Sequence, residues 1–497
     1  MINSTKDFIE KPIISIPAGE PDDDNRDYLP GKIKNSKVVV NENGNNSHVY
    51  PDKLKEFHKI FCDDVEDTWY EYVPDSYDPS KKTPLVVALH GGLMTGWGQC
   101  IYTSWSMVAD REGFIVVFPD ASFRGLWLVE HPQEIREKVC NPELAEFTFN
   151  DFPDDYRQNH DINKIFSIID EVKGKYNIDD GRIYMQGMSC GNAMTNTIAR
   201  HYAYKFAAFA GSAGHVSPKI LFDKDGNIMN DGGHADIWQT RMENDINAPG
   251  EDCPLEYTFR KNREYWNGLG ECKDAPVISI DGVNNLAFYT GGKANLTYRE
   301  VVNRDHGQTL DDAEMAWDYV FSGVRRLEDG SLEHTATACS RQGDKNALAV
   351  APGKKNVLFD NKKTDIGGET FIWNKIKYHG LNGDYIVRDS YVMVPARALA
   401  NIFGAEYCQN SGEGEMTLKD GRKIRFSRGI ISCTIDNRIR DMYVEAVERD
   451  GELYISAEWL CEDVLNMHVC TSDGVLYASD HNGKLSKHFA KLISDLL

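Results

Sequence analysis

The residues that most clearly suggest chemistry form the pentapeptide Gly187-Met188-Ser189-Cys190-Gly191. It follows a run that predicts a strand, 182–186, and precedes a run with helical spacing, 192–200. A serine between glycines in a tight strand-to-helix turn is typical of a nucleophile elbow, because side chains at the glycine positions would block the close approach of neighbouring backbone. Ser189 is therefore the candidate nucleophile, and an ordinary glycine-flanked turn is the alternative interpretation.

A serine hydroxyl needs a base within hydrogen-bond reach, usually a histidine held by a carboxylate. Among the fourteen histidines, His306 is placed best, because it lies in the loop that leaves a predicted late strand, 296–302. His90 lies in a glycine turn and is expected to shape the backbone, while His234, in a Gly-rich loop, is a weaker rival. We predict that His306 is the general base.

The carboxylate that orients the base is expected between the nucleophile and the histidine in the chain, since that order is typical of this elbow. Asp245 lies in a short loop after the predicted strand 237–241, and Asp281 ends another predicted strand. Asp305 would have to turn back onto the ring of its neighbour. We predict that Asp245 is the acid and keep Asp281 as the alternative.

The loop after the apolar run 85–89 is a candidate source of oxyanion donors. It reads His90-Gly91-Gly92, and the N–H of Gly92, or that of Leu93, can join the N–H of Cys190. Such a donor contributes about 2.7–4 kcal/mol to transition-state binding where it has been measured in other enzymes. A strand-ending glycine turn without a catalytic role is the alternative.

The pattern of apolar residues predicts the strands and helices that must position these motifs. Apolar runs at 85–89 and 113–119 are typical of buried strands, and helical spacing at 104–111 and 162–176 alternates with the predicted strands. Strands alternating with helices predict an α/β fold with a doubly wound, mostly parallel sheet. Ligands bind at the carboxyl ends of the strands in such a sheet, which is where the motifs fall.

The length of 497 residues allows two or three domains. We predict four segments: an N-terminal tail or edge extension at 1–50, the α/β catalytic domain at 51–330, a linker at 331–355 and a smaller α+β domain at 356–497. Within the last segment, 391–399 and 452–460 share a pattern in which a strand runs into a helix. This weak repeat indicates a duplicated unit.

Composition limits the partners and cofactors. The net charge of −22, without a basic cluster, disfavours nucleic acid. No run of 18 apolar residues predicts a membrane span, and no secretory leader is visible in the first thirty residues. Eleven cysteines without a C-x-x-C pair indicate no zinc ribbon, and we expect neither a metal nor an organic cofactor. We expect most of the cysteines to be buried thiols, with Cys253 and Cys272, or Cys461 and Cys470, as the pairs that could form in an oxidising compartment.

Several segments within 65–325 resemble the polyhydroxybutyrate depolymerase and feruloyl esterase-like branch of the α/β-hydrolases: 70–77, 85–92, 109–119, 182–184 with 187–189, and 206–210. The resemblance implies that Ser189, Asp245 and His306 form the triad and that His90-Gly91-Gly92 is the oxyanion segment. It also implies that Asp161 matches an aspartate that often precedes the helix before the nucleophile strand.

The C-terminal module, through 394–399 and its weaker second copy, resembles the N-terminal stalk-like domain of copper amine oxidases. Such modules occur on exported bacterial proteins, and no cluster of histidine ligands accompanies this one. The resemblance implies a spacer or a part that contacts cell wall or polymer, without copper. We therefore expect an extracellular or cell-surface protein, with a cytoplasmic location as the alternative.

Together these features predict a serine carboxylic-ester hydrolase that forms an acyl-enzyme. The expected substrates are small-molecule or polymer-linked esters with feruloyl, acetyl, hydroxyalkanoate or other short-chain acyl groups. A serine peptidase of the prolyl-oligopeptidase kind and a non-catalytic protein that binds a surface or polymer are the alternatives.

Overall fold

The computed structural model describes residues 52–143, 148–246, 253–273, 275–379 and 383–497. The predicted tail at 1–50 lies outside these residues. The described chain divides into two compact units. The first contains the residues up to 273 together with 288–299 and 304–341, and the second contains 275–287, 300–303 and 342–497.

Twelve strands precede residue 342 in the described chain: β1 (Lys55–Ile60), β2 (Glu66–Tyr72), β3 (Thr83–Leu89), β4 (Ile115–Pro119), β5 (Ile178–Met188), β6 (Ala208–Ser212), β7 (Asp236–Met242), β8 (Val277–Asp281), β9 (Asn284–Tyr289), β10 (Leu296–Val301), β11 (Val324–Arg326) and β12 (Leu332–His334). The helices of this part are α1 (Gly96–Tyr102), α2 (Trp105–Glu112), α3 (Gln133–Cys140), α4 (His160–Lys175), α5 (Cys190–Tyr202), α6 (Pro218–Leu221), α7 (Leu255–Leu269) and α8 (Asp312–Tyr319), with short 3₁₀ turns at 156–158, 203–205 and 321–323.

The sheet of the first unit has the strand order β1-β2-β4-β3-β5-β6-β7-β10. Strands β4, β3, β5, β6 and β7 run parallel to one another, and β2 joins β4 antiparallel. Every residue of β3, β4 and β7 is buried, as expected for central strands covered by helices on both faces. The predicted α/β fold with a doubly wound, mostly parallel sheet is confirmed.

Helix α4 shows how the sequence builds a layer over this sheet. The Asn159 side chain accepts a hydrogen bond from the Ile162 N–H and so caps the first turn. Apolar side chains at helical spacing, Ile162, Ile165, Ile168, Ile169 and Val172, are buried in the core of the unit. Most of the stability of such a helix comes from this packing rather than from helix propensity.

The second unit is rich in strands and has its own core. Its strands beyond residue 341 are β13 (Leu348–Val350), β14 (Asn356–Phe359), β15 (Lys362–Asp365), β16 (Phe371–His379), β17 (Asp384–Pro395), β18 (Glu406–Asn410), β19 (Glu413–Thr417), β20 (Lys423–Ser427), β21 (Ser432–Ile435), β22 (Arg438–Asp441), β23 (Val447–Arg449), β24 (Glu452–Ser456), β25 (His468–Ser472) and β26 (Val475–Ser479). They form sheets of five, four and five strands in the orders β15-β14-β13-β26-β25, β16-β17-β24-β23 and β18-β19-β20-β21-β22. The helices are α9 (Ala396–Phe403), α10 (Ala457–Trp459) and α11 (Lys487–Leu496), with a π turn at 460–464.

The predicted repeat within this unit is present as two strand-to-helix units. Strand β17 runs into α9, and β24 runs into α10. The two strands pair antiparallel, with Val394 opposite Ile455. The segment 331–355, predicted as a linker, contains β12 and β13, and the boundary between the units falls inside it, after residue 341.

All eleven cysteines lie in the described residues and none forms a disulfide, so neither of the two candidate pairs is present. Among the described helices, none combines the length and the apolar character needed to cross a lipid bilayer.

Candidate active site

Ser189 lies at a sharp turn between β5 and α5. Its φ of 54° is positive, which a residue other than glycine rarely adopts. A Cβ atom added at Gly187 would clash with the carbonyl oxygen of Gly191, and one added at Gly191 would clash with that of His90. Only glycine fits at these two positions, which is the reason for the glycines of the predicted elbow.

The structure brings Ser189, His306 and Asp245 together. The Oγ atom of Ser189 lies 2.8 Å from Nε2 of His306. The other ring nitrogen, Nδ1, lies 3.0 and 3.1 Å from the two carboxylate oxygens of Asp245. With the proton on Nδ1 donated to the carboxylate, Nε2 can accept the serine proton.

Two loops at the carboxyl ends of neighbouring strands hold the acid and the base. Asp245 follows β7, and its backbone N–H donates to the carbonyl of Met242. The Asn244 N–H donates to the carbonyl of Arg304, which fixes this loop to the loop of His306. The Asp245 carboxylate is 1% exposed and the imidazole 28% exposed, so the acid is shielded while the base faces solvent.

The two competing carboxylates are exposed to solvent. Asp281 is exposed at the end of β8, and Asp305 is exposed in the loop before the histidine. The carboxylate that contacts the His306 ring is that of Asp245. The rival histidine His234 is half-buried, and its carbonyl accepts a hydrogen bond from Arg326.

The glycine loop after β3 approaches the start of α5. A Cβ atom added at Gly92 would lie 3.6 Å from the Cβ of Cys190. Cys190 is the first residue of α5, so its N–H is one of those that find no acceptor within an α-helix. The N–H of Leu93 donates to the Gly125 carbonyl at 2.7 Å. Gly92 is therefore the better placed of the two predicted donors in this loop.

His90 fixes the shape of that loop. Its Nδ1 donates to the carbonyl of Gly91 at 2.6 Å, and its Nε2 accepts from the Ala121 N–H at 2.9 Å. The Trp127 indole N–H donates to the His90 carbonyl. Burial lowers the pKa of His90 to about 4, so the ring is neutral at neutral pH. The expected role of this residue in shaping the backbone agrees with these contacts.

Asp161, which the resemblance singled out, fixes a second loop. Its carboxylate accepts from the backbone N–H groups of Ser122 and Leu128, and Lys164 Nζ lies 2.9 Å away. Burial favours the neutral carboxyl, but the Lys164 ammonium and these hydrogen bonds hold the pKa of Asp161 below its usual value. Asp161 thus holds the segment 122–128, whose Leu126 packs against Gly92.

A supporting network beneath the serine was not predicted. The Ser189 N–H donates to the carbonyl of Ser212 at 2.9 Å, and the Ser212 hydroxyl donates to the buried carboxylate of Asp312. Three further groups donate to the same carboxylate: the Trp238 indole at 3.0 Å, the Thr240 hydroxyl at 2.6 Å and the Arg299 guanidinium at 2.8 Å. Arg299 in the middle of the predicted strand 296–302 is the one signal in the sequence, because a buried arginine requires a carboxylate partner.

Comparison with known proteins finds one matching family model and several relatives. Residues 372–473 match the family model of the copper amine oxidase N-terminal domain. A bifunctional acetylxylan esterase/xylanase of Neocallimastix patriciarum is 30% identical over 144 residues, 29% of this chain and 17% of the relative. Acetylxylan esterase A of Emericella nidulans is 28% identical over 162 residues, 32% of this chain and 45% of the relative. Feruloyl esterase B of Neurospora crassa is 29% identical over 148 residues, 29% of this chain and 43% of the relative.

The predicted resemblances to feruloyl esterases and to the copper amine oxidase N-terminal domain are confirmed by these matches. The chain spans less than half the length of these three curated relatives. Among solved structures, an acetyl xylan esterase from Aspergillus awamori has a TM-score of 0.40 and 16% sequence identity, and the match covers 54% of this chain and 98% of that one.

Proposed function

We propose that this protein is a serine carboxylic-ester hydrolase that works through an acyl-enzyme. The observation that carries the proposal is the contact of 2.8 Å between the Ser189 hydroxyl and an imidazole whose other nitrogen faces a buried carboxylate. Similarity to proteins named acetylxylan esterase and feruloyl esterase supports an ester as the substrate. A nucleophile, a base and an orienting acid are the parts that acyl transfer requires.

In the first half of the reaction, Ser189 Oγ attacks the ester carbonyl while His306 Nε2 takes the hydroxyl proton. The tetrahedral intermediate then expels the alcohol, which receives this proton from His306, and the acyl group remains on the serine. In the second half, a water molecule attacks the acyl-enzyme with His306 again as base. The carboxylic acid leaves and the serine is restored. Asp245 keeps the imidazole in the required tautomer and stabilises the imidazolium.

The developing oxyanion lies between two backbone donors in this proposal, the N–H groups of Gly92 and Cys190. Leu93 is not used, because its N–H is bonded to Gly125. Each donor in such a site contributes about 2.7–4 kcal/mol to transition-state binding. This mechanism needs neither a metal ion nor an organic cofactor.

The proposed substrates are acetyl or feruloyl esters of small molecules or polymers, with hydroxyalkanoate and other short-chain esters as the next candidates. We also propose that the protein works outside the cell or at the cell surface, where the C-terminal domain contacts wall or polymer. Co-sedimentation of the full chain with insoluble xylan or with cell-wall material tests this contact. Retention no greater than that of a control protein of similar charge would contradict it.

Hydrolysis by the purified full chain tests the catalytic proposal. The panel contains 4-nitrophenyl acetate, methyl ferulate and a proline 4-nitroanilide. We expect turnover of the esters and a fall in kcat of at least about 10⁴-fold in Ser189→Ala. Ser167→Ala is the matched control, because the Ser167 hydroxyl bonds only to the backbone of its own helix among the described contacts.

Each other outcome selects an alternative. Undiminished ester turnover in Ser189→Ala would exclude Ser189 as the nucleophile. Cleavage of the anilide without ester turnover would favour the peptidase. A folded wild-type chain that turns over none of the three compounds would favour the non-catalytic binding protein.

A further inference from the structure

A second cluster of reactive side chains lies in the first unit, at the turn between β1 and β2. Cys62 and Asp63 belong to this turn, and His160 is the first residue of α4. Nδ1 of His160 lies 3.2 Å from the Cys62 sulfur and 2.9 Å from the Asp63 carboxylate. All three potential ligand atoms lie within 4.8 Å of one another. The proposed ester hydrolysis makes no use of them.

The contacts of the histidine ring distinguish this cluster from an ordinary surface turn. The other ring nitrogen, Nε2, lies 3.0 Å from the carboxylate of Asp67, whose side chain is fully buried. A proton on Nε2 donated to Asp67 leaves a lone pair on Nδ1, which then faces the lone pairs of the Asp63 carboxylate at 2.9 Å. Two acceptors at this distance need a cation between them, which is either a second proton on the ring or a metal ion.

The electrostatics of the neighbourhood also favour a cation. The carboxylates of Asp63, Asp67 and Asp161 surround this region, and Lys164 is the ammonium that contacts the two buried ones, at 3.8 and 2.9 Å. One oxygen of Asp67, Oδ2, is buried without a hydrogen-bond partner among the described residues. One ammonium against three carboxylates leaves these groups with a net negative charge, which a bound cation would offset.

We propose that Cys62, Asp63 and His160 bind one divalent cation of the zinc class, with a water molecule in the fourth position. Zinc takes sulfur, nitrogen and oxygen ligands in tetrahedral geometry. Bond lengths of about 2.0–2.3 Å to these atoms place tetrahedral ligands about 3.4–3.6 Å apart. The present separations of 3.2 and 2.9 Å are within about half an ångström of that spacing.

The same arrangement explains the buried Asp67. A histidine that ligates a metal usually donates its other N–H to a carboxylate, which fixes the tautomer and the ring orientation. Asp67 contacts His160 in this way. The Asp63 side chain is 65% exposed, so solvent reaches the cluster and its carboxylate has room to adjust. Binding replaces the thiol proton of Cys62 by the metal and releases that proton to solvent, with no change of oxidation state.

Cobalt(II) is a suitable probe, because a cobalt–thiolate bond gives a charge-transfer band in the near ultraviolet. The full chain is reduced, freed of metal with a chelator and titrated with Co²⁺, with binding also measured by equilibrium dialysis. We expect one Co²⁺ per chain, the thiolate band, and displacement of the cobalt by Zn²⁺. The band is expected to disappear in Cys62→Ser and to persist in the control Cys408→Ser, which removes an exposed thiol.

Two further variants keep the test decisive if replacement of the half-buried cysteine disturbs folding. Asp63→Asn removes an exposed ligand and is expected to weaken Co²⁺ binding at least about ten-fold. Asp67→Asn is expected to weaken it about 10- to 100-fold through loss of the orienting carboxylate. Absence of stoichiometric binding, or a band unchanged in Cys62→Ser, would overturn the proposal and assign the positive charge to a protonated His160.

Discussion

Replacement of Asp245 by asparagine distinguishes two physical roles for the acid. If Asp245 contributes only the strength of one charge-assisted hydrogen bond, the loss is about 1.5–3 kcal/mol. This free energy corresponds to a fall of about 13- to 160-fold in rate. Its two oxygens lie 3.0 and 3.1 Å from the same Nδ1 and share one proton, so they count as one bond.

The structure predicts a larger loss for Asp245→Asn. An asparagine can turn its amide N–H₂ towards Nδ1, which then accepts, and the imidazole proton moves to Nε2. Because Nε2 lies 2.8 Å from Ser189 Oγ, the base in that tautomer can no longer take the serine proton. A substitution of this kind lowers kcat about 10⁴-fold in the chymotrypsin triad, or about 5.4 kcal/mol. We expect a loss of this size, mostly in kcat.

The assay is the initial rate of 4-nitrophenyl acetate hydrolysis at saturating and at low substrate, with the folded state checked by circular dichroism. Asp281→Asn is the matched control, because Asp281 is the competing acid and is exposed. It is expected to leave kcat unchanged. A loss below about 160-fold in Asp245→Asn would refute the tautomer argument. A large loss in Asp281→Asn instead would refute the assignment of the acid.

Three further predictions concern stability, measured by urea unfolding. Asp161→Ala removes the nearer of the two carboxylates that contact the buried Lys164 ammonium and is expected to lower the free energy of unfolding by about 3 kcal/mol, whereas the exposed Asp170→Ala should change it little. Gly191→Ala places a Cβ against the His90 carbonyl and is expected to destabilise by at least about 1–3 kcal/mol; a variant as stable as the wild type would contradict the close packing of the elbow. Burial raises the pKa of Glu458 to about 7, so the stability contributed by its neutral form is fully present below pH 4.5 and is lost as the pH rises through 7. Glu458→Gln should therefore flatten the dependence of the free energy of unfolding on pH in this range. An unchanged pH dependence in this variant would contradict the argument.

The sequence could indicate which side chains meet at the candidate site because each of them follows the end of a strand. Ser189 follows β5, Asp245 follows β7 and His306 follows β10, and the sequence predicts a strand at each of these places. In an open α/β sheet the carboxyl ends of parallel strands meet at one edge, so strand ends alone place these residues near one another.

Features that depend on backbone pairing were less predictable. The Leu93 N–H donates a hydrogen bond to the carbonyl of Gly125, which is more than thirty residues away in the chain, and no local sequence pattern predicts this contact. The strands β12 and β13, with three residues each, are too short to show an alternation of apolar and polar residues, so 331–355 resembles a linker in sequence. The Asp312 network depends on side chains from separate elements that sequence spacing does not relate.

The conformation of Ser189 links stability to the proposed chemistry. Its positive φ stores about 1–3 kcal/mol of strain, and such strain persists only where the surroundings fix the backbone. The Ser189 N–H donates to Ser212 and its carbonyl accepts from Ala193, and hydrogen bonds of this kind contribute about 0.5–1.5 kcal/mol each. Two such bonds are comparable to the strain, and the close packing at Gly187 and Gly191 prevents relaxation. Because the elbow is fixed by backbone contacts rather than by the hydroxyl, removal of the hydroxyl should leave its shape intact, so loss of activity on its removal reports on chemistry rather than on folding.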